Sequence, residues 1–470
     1  MTGLEEDLVT RGRAYLETLV GRPVAVVGLA RSGVAAARLL HASGARVSAS
    51  DTKPLERLGE RLIEDARGLT ELGIRFVTDD AVGEGVDGAE LVVVSPGVPL
   101  DAPQLAPARR AGVPIIGEIE LAWRALEADT IAITGTNGKT TTTALTGEIL
   151  AGHYHAVLVA GNIGRPLAGD ALGFPPDGMV VCEVSSFQLE TIEAFQPRIA
   201  AVLNVTPDHL DRHRTFEAYL DAKARIFMNQ TSSDCAVLNA DDAPARSLAE
   251  RTQADVVWFS RKRPVDHGVF VRDGWVVAKL RAGVEAICPL TDIFLPGQHN
   301  VENVLAATAC ALWCGLPAET IRRGIAGFRG VPHRIELVRE LRGVRYYNDS
   351  KGTNVASTIK ALESFSEPIV LIAGGIGKGQ DFAPLAAAAR GRVRQAVVLG
   401  EDGPKIATAL ETVGVPVRSA ATMESVLHAA RDAAAPGDIV LLSPACASFD
   451  MFDHYEHRGD VFRTLVESLA

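Results

Sequence analysis

The sequence predicts an α/β protein of three domains, each built on a sheet of mainly parallel strands. Short apolar runs recur along the chain, and each ends in glycine or polar residues before a helical pattern begins. The 470 residues exceed the size of one ordinary domain, and 47% of them are hydrophobic, which is enough for several cores. We expect domains at 1–118, 119–330 and 331–470, with residues 1–20 as an extension of the first.

The first block has the pattern of a dinucleotide-binding fold. PVAVVGLARSGVAAARLLHASGARVSASDTK gives a strand, a glycine turn, an alanine-rich helix and a second strand that ends at Asp51. Gly28 and Gly33 match the outer glycines of G-x-G-x-x-G, but Ala30 stands at the middle position, so the signal is weak. From these residues alone the block could bind NAD, bind a UDP group or serve as a packing unit. A later strand ends in SPGVPLDAP, at the sheet edge where such folds bind ligands.

The second block opens with a phosphate-binding loop of shortened form, IAITGTNGKTTTTALTGEIL. Ile133 stands where the common pattern G-x-x-x-x-G-K-[ST] has a glycine. An apolar strand, the turn glycines Gly135 and Gly138, and a following helix nevertheless keep their order. The N-terminus of that helix would face an anion, Lys139 would bind the β and γ phosphates, and the Thr140 hydroxyl could reach Mg²⁺. The loop therefore predicts a nucleoside triphosphate site.

Three further segments of this block carry charged groups. Glu183 ends the strand in MVVCEVSSFQLE, where a carboxylate could bind Mg²⁺, and His209 follows another strand in TPDHLDRH. The second segment could equally be a polar loop that starts a helix. Lys223 lies in the helical pattern FEAYLDAKARIF, where a lysine is ordinarily solvated. Residues 255–290 have the pattern of a small β insertion.

The third block again alternates strands and helices, and three of its strands end in polar loops. These loops are YYNDSKGTN, AGGIGKGQDF and SPACASFDMFDHYEHRGD. Each one alone is typical of an ordinary polar loop. Since the carboxyl ends of parallel strands meet at one edge, the three together predict a pocket for a polar small molecule.

Composition excludes several classes of protein. The formal net charge of -11 argues against a non-specific nucleic-acid binder, and no apolar run reaches membrane-spanning length. The six cysteines are scattered without the spacing of a metal site. We expect a cytoplasmic monomer without a nucleic-acid or membrane partner.

The segments GTNGKT, NDSKGTN, GGIGKGQDF and LLSPACASFDMF together resemble the Mur ligases over essentially the whole chain. These ATP-dependent enzymes form the amide bonds of the peptidoglycan stem peptide, and GTNGKT is similar to their own phosphate loop. The resemblance implies a first domain that binds a UDP-sugar without NAD, a central ATP-binding domain and a third domain that binds an amino acid. NDSKGTN is similar to the branch that adds D-glutamate to UDP-N-acetylmuramoyl-L-alanine through an acyl phosphate. The alternatives are a family member that adds a different amino acid and a nucleotide-sensing module that binds NAD.

The resemblance also implies roles for individual residues. Those similar to ATP contacts are Gly138, Lys139, Thr140, Thr141, Asn300, Asn303, Arg334 and Asp349. Those similar to the Mg²⁺ sites are Thr140, Glu183, His209 and Lys223, the last carbamylated by CO₂. UDP-sugar and muramoyl-alanine contacts are implied for Ser32, Asp51, Thr52, Lys53, Gly97, Asn162 and Ser185. The D-glutamate pocket is implied to contain Lys351, Thr353, Lys378, Ser448 and Tyr455. Catalysis is expected to depend on Lys139, Glu183, His209 and Lys223.

Overall fold

The computed structural model describes residues 11–52, 60–78, 83–162, 164–280, 283–377 and 379–469. Within them the chain forms three sheets and two compact units. One unit comprises the residues up to Asp292 together with Val301–Ala326, and the other comprises Ile293–Asn300 with the residues from Gly327 onward. The predicted α/β class with mainly parallel sheets is confirmed.

The first sheet has five parallel strands in the order β3-β2-β1-β4-β5. Its strands are β1 (Pro23–Val27), β2 (Arg46–Asp51), β3 (Arg75–Thr78), β4 (Leu91–Val94) and β5 (Ile115–Gly117). Its helices are α1 (Arg31–Ala42), α2 (Glu60–Glu71) and α3 (Ala106–Ala111). Because the strand order reverses at β1, a crevice forms at its carboxyl end, as expected for this class of fold.

Two glycines let α1 approach the turn after β1. Gly28 has φ of +88°, which favours glycine. A Cβ added to Gly33 would lie 1.8 Å from the carbonyl oxygen of Gly28, so the first turn of α1 packs directly on this backbone. The two glycines that the sequence pattern selected are therefore explained by close packing.

The helix α4 (Glu118–Ala125) joins the first sheet to the second. Glu120 is fully buried, and its carboxylate accepts backbone N–H bonds from Glu193, Ala194 and Phe195 at 2.8–3.0 Å. Arg124 donates to the same carboxylate at 2.6 Å. Several charge-assisted hydrogen bonds thus hold this helix to the second sheet.

Part of the N-terminal extension packs on α4. Residues 11–17 are helical, and the Arg11 guanidinium lies 4.0 Å from the centre of the Trp123 ring. Arg11 also donates to the carbonyl oxygen of Leu126 at 2.9 Å. The described end of the extension therefore covers one side of the joining helix.

The second sheet has nine strands in the order β14-β13-β12-β11-β10-β9-β6-β8-β7. Its strands are β6 (Asp129–Thr134), β7 (Val157–Gly161), β8 (Met179–Glu183), β9 (Ile199–Val202), β10 (Cys235–Asn239), β11 (Asp255–Ser260), β12 (Gly268–Arg272), β13 (Trp275–Leu280) and β14 (Gly283–Pro289). Its helices are α5 (Lys139–Ala151), α6 (Ser186–Leu189), α7 (Leu210–His213), α8 (Phe216–Ala224), α9 (Ala243–Ser247), α10 (Gln298–Trp313) and α11 (Ala318–Gly327). The predicted β insertion extends one edge of this sheet, because β11 pairs in parallel with β10 and the antiparallel strands β13 and β14 follow β12.

The third sheet has six strands in the order β15-β16-β20-β17-β18-β19, antiparallel only between β15 and β16. Its strands are β15 (Glu336–Leu341), β16 (Val344–Asn348), β17 (Ile369–Gly374), β18 (Val393–Leu399), β19 (Val417–Ser419) and β20 (Ile439–Leu442). Its helices are α12 (Val355–Glu363), α13 (Ala383–Ala389), α14 (Gly403–Glu411), α15 (Met423–Ala433) and α16 (Tyr455–Ser468). Helices cover both faces of this sheet, and their apolar side chains form two cores with those of the strands.

Short 3₁₀ helices lie at Pro103–Leu105, Leu167–Gly169, Arg225–Phe227, Leu248–Arg251 and Leu290–Asp292.

No helix within the described ranges has both the length and the apolar character that a membrane span needs. The six cysteines form no disulfide. Five of the six are buried, which agrees with a structural use of these side chains.

The contact between Gly33 and Gly28 makes a testable prediction about stability. Gly33→Ala would force apart α1 and the turn after β1, so we expect unfolding to become easier by about 2 kcal/mol or more, as for other overpacked sites. Gly169→Ala is the matched control, because its added methyl meets no atom within 4 Å. Urea unfolding midpoints would measure both variants. Equal midpoints would contradict the packing argument.

Glu118 makes a prediction about pH. Its Oε1 accepts the N–H of Ala168 at 2.6 Å, while its Oε2 has no hydrogen-bond partner among the described residues. Burial raises the pKa of Glu118 from 4.5 to about 7. The folded state thus holds this proton more tightly than the unfolded state does. Glu118 therefore contributes stability below about pH 4.5, and this contribution is lost as the pH rises to about 7.

We therefore expect Glu118→Gln to be more stable than the parent protein above pH 7, and the difference to shrink as pH falls towards 4.5. Denaturation midpoints at several pH values would measure this difference. A stability difference that does not change with pH would contradict the assignment.

Candidate functional site

The phosphate loop lies between the end of β6 and the start of α5. Gly135 has φ of +152° and Gly138 has φ of +84°, so both positions favour glycine. A Cβ on Gly138 would lie 2.3 Å from Oδ1 of Asn303, which leaves no room for another side chain. The Nζ of Lys139 donates to the carbonyl oxygens of Gly135 and Thr136 at 2.8 and 3.0 Å. The loop thus presents the N-terminus of α5, with a lysine at its first position, for an anion to bind.

A polar segment after β9 fastens this loop. The side chain of Asn204 accepts the N–H of Asn137 at 2.8 Å and donates to its carbonyl oxygen at 3.1 Å. The Thr136 hydroxyl accepts the N–H of Thr206 at 3.0 Å. Sequence reasoning did not select Asn204, although a polar residue directly after an apolar strand was the available signal. Because these bonds define the loop on both sides, they restrict its conformation before any ligand binds.

Glu183 lies at the carboxyl end of β8, which pairs with β6 so that Ile133 faces Glu183. The side chain is 2% exposed, and its Oε1 accepts a hydrogen bond from Asn162 at 2.8 Å. Its Oε2 has no hydrogen-bond partner among the described residues. A buried carboxylate oxygen without a donor is suited to a hard cation such as Mg²⁺. Ser185 follows closely and caps α6 by accepting the N–H of Gln188.

Lys223 is buried rather than solvated, with 1% of its surface exposed. Its Nζ donates to the carbonyl oxygen of Gly135 at 2.9 Å and to the Thr134 hydroxyl at 3.4 Å. The Tyr219 ring centre lies 4.6 Å from the same nitrogen. Burial, followed by the charge of Lys139, holds the pKa of Lys223 well below its usual value. The expectation of an ordinary solvated lysine at this helical position is therefore wrong.

His209 follows β9 and immediately precedes the short helix α7. Its backbone is left-handed, with φ of +51°, and its ring contacts Phe187 edge-on at 4.9 Å. Half of the side chain is exposed, and Nε2 lies 3.6 Å from Oδ2 of Asp208. His213 is buried instead, and its Nε2 lies 3.0 Å from the Ser186 hydroxyl. His209 is thus the histidine of this segment that a ligand can reach.

No three His, Cys, Asp or Glu side chains in the described part of the chain gather closely enough to hold a metal ion. The predicted ligand set contains one glutamate and one histidine, and it depends on Thr140 and Lys223 for the rest. Thr140 is 3% exposed at the start of α5. A cation here would therefore need oxygen atoms from a bound phosphate or from a modified lysine.

A cavity of about 90 Å³ lies at the carboxyl ends of the strands in the first sheet. Gly28, Asp51 and Thr52 help to line it. The carboxylate of Asp51 accepts the N–H of Leu29 at 2.7 Å, across the turn between β1 and α1. This is the crevice in which a doubly wound fold binds ligands.

The other residues predicted for this region lie around it. Ser32 is half-buried in the first turn of α1, and Gly97 is exposed in the loop after β4. Val98, next to Gly97, lines the cavity. Lys53 lies outside the described residues.

In the second unit, Asp349 follows β16 and is 5% exposed. Its Oδ2 accepts the Ser443 hydroxyl at 2.7 Å, and its Oδ1 accepts the N–H of Ile335 at 3.3 Å. Burial raises the pKa of Asp349 to about 7, opposed by the Ser443 hydrogen bond and by the charge of Arg334. Asp349 and Arg334, both predicted to contact the nucleotide, thus influence each other electrostatically.

The predicted amino-acid pocket lies at the carboxyl ends of β16, β20 and β17, which are adjacent strands. The Nζ of Lys351 lies 5.9 Å from the Tyr455 ring centre, and Ser448 is 2% exposed in the loop after β20. The N–H of Thr353 donates to the carbonyl oxygen of Lys351 at 2.8 Å. Lys378 lies outside the described residues. The structure therefore brings the loop that carries Lys351 and Thr353 close to Tyr455, the first residue of α16, and places Ser448 in the loop after the neighbouring strand β20.

Two asparagines predicted to contact the nucleotide occupy α10. Asn303 belongs to the first unit, where its Oδ1 accepts the Thr142 hydroxyl at 3.2 Å. Asn300 belongs to the second unit, where its Nδ2 donates to the carbonyl oxygen of Pro296 at 2.6 Å. The predicted set of nucleotide contacts thus has Asn303 in the first unit and Asn300 in the second, and each is described within its own unit.

Three family models match the chain. They are described as "Mur ligase MurD-like, N-terminal domain" over residues 22–117, "Mur ligase middle domain" over 133–311 and "Mur ligase, glutamate ligase domain" over 333–446. Together they cover most of the sequence, and each corresponds to one of the three sheets.

Two similar relatives carry the name UDP-N-acetylmuramoylalanine–D-glutamate ligase. The protein from Koribacter versatilis is 47% identical over 96% of this chain and 98% of its own length. The protein from Acidobacterium capsulatum is 48% identical over 95% of this chain and 96% of its own length.

Solved structures show the same fold at low identity. UDP-N-acetylmuramate–alanine ligase from Thermotoga maritima has a TM-score of 0.59 and 20% identity, over 95% of this chain and 99% of that one. A pseudomurein peptide ligase type C from Methanothermus fervidus has a TM-score of 0.55 and 17% identity, over 96% of this chain and all of that one.

The phosphate loop makes a prediction about nucleotide binding. Lys139→Ala removes a positive charge from the anion site, and we expect ATP binding to weaken at least about tenfold, the effect of losing one charge-assisted hydrogen bond. Lys262→Ala, at an exposed position of the same unit, is the control. Calorimetric titration with ATP would measure both variants. Unchanged affinity in Lys139→Ala would contradict the site.

Proposed function

Because this chain belongs to the Mur ligase family, we infer its function from that membership and from the geometry of its sites. It is an ATP-dependent amide-bond-forming ligase that adds D-glutamate to UDP-N-acetylmuramoyl-L-alanine in peptidoglycan precursor synthesis. The single observation that carries this conclusion is identity of about 47% with ligases of that name along nearly the whole chain. We retain 1–118, 119–330 and 331–470 as proposed domain boundaries, and monomeric action as a proposal.

The reaction explains why an anion site and an amino-acid pocket are both needed. A carboxylate is a poor electrophile, so ATP transfers its γ-phosphoryl group to the L-alanyl carboxylate and forms an acyl phosphate. The amine of D-glutamate attacks the acyl carbon, a tetrahedral intermediate forms, and phosphate leaves. We propose that Gly138, Lys139, Thr140 and Thr141 bind the ATP phosphates. The positive end of α5 and the Lys139 ammonium would stabilise the charge on the transferred group.

We propose that Thr140, Glu183, His209 and a carbamylated Lys223 hold Mg²⁺. When bound, Mg²⁺ would neutralise charge on the phosphoryl oxygens. Two observations support this ligand set: Glu183 has a buried oxygen without a hydrogen-bond partner among the described residues, and Lys223 has a buried amine of lowered pKa. A protonated lysine would repel the cation. Reaction of the uncharged amine with CO₂ gives a carbamate, which provides the oxygen ligands that Mg²⁺ prefers.

The remaining assignments follow the same reasoning. We propose that the UDP group binds in the crevice of the first sheet near Ser32, Asp51, Thr52, Lys53 and Gly97. Asn162 and Ser185 would bind the muramoyl-alanine part. Asn162 donates a hydrogen bond to Glu183, and Ser185 follows Glu183 by two residues at the start of α6. Asn300, Asn303, Arg334 and Asp349 would complete the nucleotide site.

D-Glutamate has two carboxylates, so its pocket needs cations and hydroxyl donors. We propose Lys351, Thr353, Lys378, Ser448 and Tyr455 for these contacts. Lys351, Thr353 and Ser448 follow adjacent strands of one sheet, and Tyr455 at the start of α16 lies beside Lys351, which supports a common pocket.

The test of the function is phosphate release with ATP, Mg²⁺, UDP-N-acetylmuramoyl-L-alanine and one amino acid at a time. D-Glutamate should support turnover, whereas L-glutamate and L-alanine should not. Release with a different amino acid alone would place the protein in another branch of the family. Release without any amino acid would contradict amide-bond formation.

Lys223→Arg tests the metal proposal. Arginine keeps the charge of an unmodified lysine but cannot form the carbamate. We expect turnover to fall about a hundredfold or more, because loss of a group that only supports a metal ligand already costs about 10- to 100-fold. A second measurement is independent of turnover: labelled bicarbonate should give a carbamate signal in the parent protein that is absent from the variant. Full activity in Lys223→Arg, or no carbamate signal in the active parent protein, would contradict the proposal.

A further inference from the structure

Arg458 is a fully buried cation that the proposed reaction does not use. It lies one turn into α16 and is 2% exposed. Nε donates to the Ser350 hydroxyl at 2.9 Å, and Nη2 donates to the Ser350 carbonyl oxygen at 2.8 Å. Nη1 donates to the carbonyl oxygen of Cys446 at 3.1 Å. Each nitrogen of the guanidinium thus has a defined acceptor.

These acceptors belong to two different loops of the predicted amino-acid pocket. Ser350 immediately precedes Lys351 in the loop after β16. Cys446 lies two residues before Ser448 in the loop after β20. The Ser350 hydroxyl also donates to the carbonyl oxygen of Tyr455 at 2.8 Å. One guanidinium therefore connects the backbone beside three residues that we assign to the substrate.

A planar guanidinium fixes distance and direction between its acceptors, which a lysine ammonium cannot do. Both loops leave parallel strands, and β16 and β20 are neighbours, so the sheet sets only where the loops begin. Burial lowers the pKa of Arg458 to about 10, so it remains charged at neutral pH. Its carbonyl and hydroxyl acceptors carry no charge, and the nearby carboxylates of Asp450 and Asp349 act on it through their charge.

We propose that Arg458 is a positioning residue that sets the spacing of the two loops and thereby tunes recognition of the amino-acid substrate. This inference rests on the proposed function, because it takes the pocket to be the D-glutamate site. Arg458 acts through Ser350 and Cys446 and does not itself touch the substrate.

The main test is Arg458→Lys, assayed for each substrate separately. We expect the KM for D-glutamate to rise about tenfold or more, the effect of lost charge-assisted hydrogen bonds, while the KM values for ATP and UDP-N-acetylmuramoyl-L-alanine change less than about threefold. Ser350→Ala removes one acceptor and keeps the arginine. It should also raise the KM for D-glutamate, but by less than Arg458→Lys does. In Arg458→Ala, added guanidinium at low millimolar concentration should lower the D-glutamate KM again, and sodium chloride should not.

Arg339→Lys is the matched control. Arg339 also joins α16 to the same unit, by donating to the carbonyl oxygens of Glu467 and Leu469 at 2.8 and 2.7 Å, at the opposite end of the helix. Arg339→Lys should change the stability of the protein, but it should not raise the KM for D-glutamate more than the KM values for the other two substrates. Equal rises in all three KM values for Arg458→Lys, or an unchanged D-glutamate KM, would overturn the inference while the proposed function stands.

Amide hydrogen exchange decides the inference independently of turnover. Arg458→Lys should increase exchange in 349–354 and 444–448 together, whereas Arg339→Lys should leave both segments as in the parent protein. Unchanged exchange in these segments would overturn the inference. If the parent protein turned over no amino acid at all, the proposed function would fail and the exchange result alone would decide whether Arg458 orders the loops. If it used a different amino acid, the KM comparison would be made with that one.

Discussion

The chemistry of the first unit depends on one geometric constraint, the adjacency of β8, β6 and β9 in a parallel sheet. Parallel strands end at the same edge, so the residues that follow them must share one small volume. The phosphate loop follows β6, Glu183 ends β8, and Asn204 and His209 follow β9. Strand order alone therefore brings together segments that are far apart in sequence. These segments are the predicted anion-binding loop, a carboxylate and the residues that support the loop.

Two arrangements of buried charge recur among the described residues, besides the ion pair at Glu120. Lys223 and Arg458 donate hydrogen bonds to carbonyl and hydroxyl oxygens, while nearby carboxylates act on both cations through their charge. Glu118 and Glu183 each have one oxygen that is bonded and one that has no hydrogen-bond partner among the described residues. Burial of a charge is unfavourable, and it shifts the pKa values of Lys223, Arg458 and Glu118 towards the neutral form of each group. Such positions are suited to groups whose charge state changes on modification or ligand binding, and Glu118 shows that burial of this kind also occurs at a join between sheets.

The sequence predicted the fold class and the positions of the strand-end loops because both depend on local patterns. Apolar runs that end in glycine or a polar residue are enough to select Lys139, Glu183 and the loop after β16. This selection does not require knowing which strands pair with one another. The surroundings of Lys223 could not be predicted in this way, since periodicity shows that a helix exists but not which element covers each side. The sequence predicted the β insertion but not that its strands extend the second sheet. Which strands pair depends on contacts that are distant in sequence. Arg458 lacked any signal, since its importance arises from two loops more than 95 residues apart along the chain, at Ser350 and Cys446.

The contact of Arg11 with Trp123 has a practical consequence for handling the protein. A cation lying on the face of an indole changes its fluorescence surroundings, and Trp123 is one of only four tryptophans in the chain. The emission of this side chain can therefore report whether the helical residues 11–17 are docked on the joining helix. A shortened version lacking the first 20 residues would lose the contacts of Arg11 with the Trp123 ring and with the carbonyl oxygen of Leu126. Trimming the protein for crystallisation or tagging would thus alter the junction between the first two sheets.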